Sequence, residues 1–115
     1  LAHQGRGGEA AGLVESSLEG LPEEERPALL AQAARMADGG GAPDQGAALR
    51  ERLLSNHPDS PEAAEASLSL ARWRAATPEG RTEAIRLLED LVTRTPGAAV
   101  VPDARRELER LRRGS

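Results

Sequence analysis

Cysteine, phenylalanine, tyrosine and lysine are absent from this chain, and tryptophan and methionine occur once each. Without cysteine there is no disulfide, no thiolate metal site and no cysteine nucleophile, a pattern that fits any compartment. The lack of Phe and Tyr leaves the core to Leu, Ala, Val and Ile, which suffices when helices pack closely across alanine faces. Scarce β-branched and aromatic residues argue against strands, so the expected class is all-α. All 15 basic residues are arginine. GC-rich coding favours Arg, Ala, Gly and Pro together, so a demand for guanidinium over ammonium would have to be local. A formal net charge of −4 argues against nucleic acid as a partner, since such binders carry a basic footprint. No apolar run is long enough to span a bilayer, so direct membrane insertion is not expected, and no segment reads as a signal peptide. The chain begins at Leu1 rather than Met, as a processed product or an excised piece would, which leaves its compartment open.

What is present is a repeat. Pro58-Asp59-Ser60-Pro61-Glu62-Ala63-Ala64-Glu65-Ala66 returns in outline as Pro96-Gly97-Ala98-Ala99-Val100-Val101-Pro102-Asp103-Ala104, 38 residues later. Leu53 pairs with Leu91, Leu54 with Val92, and Leu70 with Leu108 at the same spacing. A fixed period of this size marks stacked supersecondary units, because one unit cannot bury its own apolar face.

Helical periodicity and proline and glycine punctuation divide the chain. Residues 1–8 are Gly-rich and aperiodic and read as a flexible linker, and a helix follows at about 9–19. The next is expected to start near Pro22, with Glu23, Glu24 and Glu25 complementing its dipole, and to end at Gly39-Gly40-Gly41. Further helices are expected over about 44–56, 61–75, 79–94 and 102–113. Ser60 reads as the N-cap of the helix over about 61–75, and Thr77-Pro78 repeats the device. Short loops favour antiparallel neighbours. The expected architecture is therefore about six helices in stacked antiparallel hairpins, with a repeat domain over 9–115 and copies at about 21–57, 58–95 and, in part, 96–113.

Ala84-Ile85-Arg86-Leu87-Leu88-Glu89-Asp90-Leu91, followed by Pro96, resembles the second helix of a tetratricopeptide repeat, and Leu70-Ala71 resembles the small-residue step of its first helix. The run Pro58-Asp59-Ser60-Pro61 through Ala66 to Leu70-Ala71 is similar to the longer-repeat branch of bacterial envelope proteins. Outer-membrane assembly lipoproteins and the C-terminal domain of the Tol-Pal cell-division coordinator belong to that branch. The likeness covers about residues 21–113. Arg74 stands where that family has an aromatic residue, and Gly80-Arg81-Thr82 replaces its Gly-Asp-Tyr loop. The resemblance implies an α-solenoid whose first helices line a concave groove, binding a partner peptide or helix as a non-enzymatic scaffold. It favours the periplasm or cell envelope as the compartment.

In that register Arg35, Arg72 and Arg110 occupy equivalent positions, and together they would form a guanidinium row along the groove. Guanidinium forks suit carboxylates, so an acidic segment or a free C-terminus of a partner is the expected ligand. Coincidence in an arginine-rich chain is the competing reading. Glu65, Leu68, Ala31, Asp38 and Arg106 would be groove neighbours. Trp73 is either an interface anchor or a packing residue against the next hairpin. Leu108 and Leu111, on a last helix without its hairpin partner, would leave an apolar face open to a second copy, so self-association, up to a homodimer, is the alternative function. No catalytic site is expected. His57 has Asp59 nearby but no nucleophile, and Glu23–Glu25 diverge around the helix axis. His3 falls in the linker, and neither a metal site nor a cofactor site is indicated.

Overall fold

The computed structural model describes residues 17–114, and all regular structure among them is helical. Residues 17–19 are helical and Gly20 turns away from them. The linker at 1–8 and most of the expected first helix lie outside the described residues. A 3-10 turn at Glu23–Glu25 leads into α1 (Arg26–Gly39), followed by α2 (Pro43–Asn56), α3 (Pro61–Arg74), α4 (Arg81–Arg94) and α5 (Val101–Arg113).

Proline chemistry moves the start of α1 past Pro22, where a sequence reading places it. Arg26 donates its N–H to the Glu23 carbonyl in a 3-10 bond. Pro27 has no N–H to close an α-turn onto that same carbonyl, so regular helix begins only at Arg26. Glycine ends α1. Gly41 adopts φ 83°, Ala42 N donates to Ala37 O at 2.8 Å, and Gly41 N donates to Asp38 O at 3.2 Å. This is the Schellman pattern of crossed bonds, in which the left-handed residue is almost always glycine.

The 38-residue register is visible in the helix bounds themselves: α2 runs Pro43–Asn56 and α4 runs Arg81–Arg94. Their ends match as well. His57 closes α2 at φ −137°, ψ 55° and Thr95 closes α4 at φ −131°, ψ 63°. Their N–H groups donate to Leu53 O and Leu91 O, and a proline follows each. The Ser60 hydroxyl donates to the His57 carbonyl at 2.8 Å. Thr77 Oγ1 accepts from Gly80 N at 3.2 Å, which fixes a turn that delays α4 to Arg81.

Two compact units divide between Ala63 and Ala64, inside α3. In the first, the three-residue link Gly40–Ala42 folds α2 back on α1. Leu30, Ala33, Ala34 and Ala37 on α1, and Ala47, Leu49 and Leu53 on α2, are buried. Each fully buried leucine contributes about 1.5–3 kcal/mol relative to exposure. In the second unit, α4 and α5 run antiparallel: Arg81 at the start of α4 donates to the Gly114 carbonyl past the end of α5 at 3.0 Å. Their core joins Leu68 and Ala71 of α3 to Ala84, Leu88 and Leu91 of α4 and to Val101, Ala104, Leu108 and Leu111 of α5. Among the described residues no helix is long and apolar enough to cross a membrane.

Candidate protein-binding surface

Helix α5 alternates acids and arginines at three- and four-residue spacing, which places opposite charges as neighbours along the helix surface. Glu107 bonds Arg110, Asp103 bonds Arg106 and Glu109 bonds Arg113. Glu107 does more than this local pairing. Its Oε2 accepts from Arg110 Nη2 at 2.7 Å, while its Oε1 faces Arg72 Nε of α3 at 3.7 Å. Two members of the expected arginine row thus converge on one carboxylate. The Glu107 side chain is 18% exposed, whereas Arg72 and Arg110 are 53% and 65% exposed. Two guanidiniums against one carboxylate leave an excess positive charge at the surface, with most of the donors of Arg110 still open to an incoming acceptor.

The remaining expected site residues are distributed differently. Arg35 is exposed on α1, in the first unit, and Glu65 is exposed on α3. Ala31 is half-buried, and Asp38 is engaged by Arg50 of α2. Trp73 is 42% exposed. Met36, its counterpart 37 residues earlier in the register, is 60% exposed.

Leu68 is not a groove residue. It is 4% exposed and belongs to the core of the second unit. Assigning Leu70 inward turns Leu68, about 200° away around the helix, outward, but both leucines are buried. The open apolar face expected at Leu108 and Leu111 is likewise missing. They are 7% and 3% exposed, because α5 lays this face against α4 and α3 and closes the core without a further helix.

Arg50 and Glu107 escaped the sequence reading. A signal existed for Arg50: its counterpart 38 residues on is Leu88, an interior position of α4. Glu107 offered only its spacing from Arg110. Among the described residues no group of three or more His, Asp or Glu side chains is placed to hold a metal ion. His57 serves as the C-cap of α2, and His3 lies outside the described residues. No protein-family model, curated protein or solved structure matches this chain.

Proposed function

We propose that this chain is a non-enzymatic protein-interaction module that holds an acidic segment or free C-terminus of a partner on Arg72 and Arg110. The convergence of these two side chains from different helices onto Glu107 is the observation that carries the reading. The pairing of Glu107 with both guanidiniums supports a carboxylate as the ligand type. Trp73, next to Arg72 and exposed, supplies apolar area of the kind that anchors interfaces. The 38-residue period shared by α2 and α4 supports the tetratricopeptide-like scaffold role, and the bacterial envelope is the setting that the resemblance implies.

The test is a fluorescence-anisotropy titration of an acidic peptide with a free C-terminus, beside its C-terminally amidated form. Arg72→Glu and Arg110→Glu should each weaken binding roughly tenfold. Equal affinity in wild type and both variants would sink the assignment.

A further inference from the structure

Helix α5 carries a second charged edge, and it faces α4 rather than α3. At about 100° per residue, Arg105 falls on the side of Leu108, Glu109 and Arg112, while Glu107 and Arg110 lie across the helix. Between this edge and α4 runs a groove of about 650 Å³. Val92 and Leu108, half-buried and buried, form its floor, and Thr93, Glu89, Arg105 and Arg112 stand around it. Two of its arginines are already matched. Arg112 Nη2 meets Glu89 Oε2 of α4 at 2.5 Å, and Arg113 Nη2 meets Glu109 Oε1 at the same distance. Arg105 is exposed and has no carboxylate partner among the described residues.

We propose that this groove is a second docking site, distinct from the Arg72–Arg110 pair, for an acidic amphipathic segment of a partner protein. The occupant lays an apolar side chain over Val92 and Leu108 and places one carboxylate on Arg105. Charge complementarity selects it. The rim is balanced except for one guanidinium, so one added carboxylate completes the pairing. A polyphosphate backbone brings several charges to one guanidinium and no apolar side chain to cover Val92 and Leu108. A basic segment meets the uncompensated Arg105.

A fluorescein-labelled peptide of roughly 14 residues, built from Glu, Ala and Leu with leucines four apart to share a helix face, is the probe. Its control replaces every Glu by Lys. Titrated into Arg72→Glu, where the first site is disabled, the acidic peptide should still bind saturably, and adding Arg105→Glu should weaken that binding roughly tenfold. The lysine peptide should not bind, and amide shifts should centre on Val92, Thr93 and Leu108. Circular dichroism of Arg105→Glu, changed at an exposed position, confirms that it retains its helices. No binding of the acidic peptide to Arg72→Glu at millimolar concentration overturns the proposal, as does equal affinity in that background with and without Arg105→Glu. Loss in Arg72→Glu with full binding in Arg105→Glu overturns the groove alone and leaves the Arg72–Arg110 reading intact. A solution mass that rises with concentration in wild type but not in Arg105→Glu assigns the groove to a second copy and also overturns it.

Discussion

Arg50 and Asp38 clamp α2 to α1: Nη2 of the guanidinium lies 2.6 Å from one carboxylate oxygen, and Nη1 lies 3.4 Å from the other. Arg50 is 9% exposed, a depth at which arginine is found almost only when paired. The equivalent position in the second unit is Leu88, fully buried. One register position is thus solved by a charge pair in the first unit and by leucine in the second.

That comparison yields a stability prediction. Asp38→Ala leaves a buried guanidinium without its acceptor and should destabilise by about 1–3 kcal/mol. Arg50→Leu installs the residue that the repeat uses elsewhere and frees a carboxylate whose side chain is 40% exposed. It should stay within about 1 kcal/mol of wild type, because apolar replacement of a buried ion pair is often neutral. Urea midpoints measure both. A mild Asp38→Ala, equal to Arg50→Leu, would show that the clamp contributes nothing to stability.

Gly46 lets that clamp form. A Cβ there would overlap Asp38 Oδ1 and approach Ala34 O to 3.1 Å. Gly46→Ala gains helix propensity of roughly 1 kcal/mol, yet it must push the carboxylate away from Arg50. We expect net destabilisation in wild type and a smaller cost in an Asp38→Ala background. A double-mutant cycle reads this as coupling of about 0.5 kcal/mol or more. Strictly additive costs would refute it.

Leu111 distinguishes core from interface. Its burial among α4 and α5 side chains predicts that Leu111→Ala lowers stability by about 2–5 kcal/mol. The solution mass of the wild type, followed by light scattering across concentration, should not depend on this side chain. A wild-type oligomer that Leu111→Ala dissolves while leaving the unfolding midpoint unchanged would return Leu111 to the surface.

Glu107 competes with the proposed ligand. Glu107→Gln keeps the shape of the side chain but removes the charge that occupies Arg72 and Arg110. The affinity of an acidic peptide should rise roughly threefold, in keeping with the modest worth of a partly exposed ion pair. Added salt should reduce the gain. Unchanged or weaker binding in Glu107→Gln would mean that the carboxylate positions the guanidiniums instead of blocking them.

Local signals carried the helices well. Gly39-Gly40-Gly41 marks the end of α1, and Pro58 and Pro96 mark the ends of α2 and α4, because backbone chemistry within a few residues decides these points. Pro27 and Thr77 show the limit of that reasoning. Each shifts a helix start by a few residues through one hydrogen bond missing or made, and proline spacing alone does not reveal which. Half of the candidate site was legible too. The register picked out Arg72 and Arg110 as equivalent, but only the packing of α3 against α5 puts Glu107 between them.

Amino-acid order by itself determined that the chain is helical, where its helices break, and that α2 and α4 match at a 38-residue spacing. These properties depend on contacts three or four residues apart, on the φ freedom of glycine and on the fixed φ and missing N–H of proline. Burial depends on what other elements cover each face of a helix, and no local pattern records that. Only the tertiary structure could show that Leu68, Leu108 and Leu111 are core, and that Arg50 replaces a leucine in the interior. It alone places Arg105, without a carboxylate partner among the described residues, at the edge of a groove floored by Val92 and Leu108.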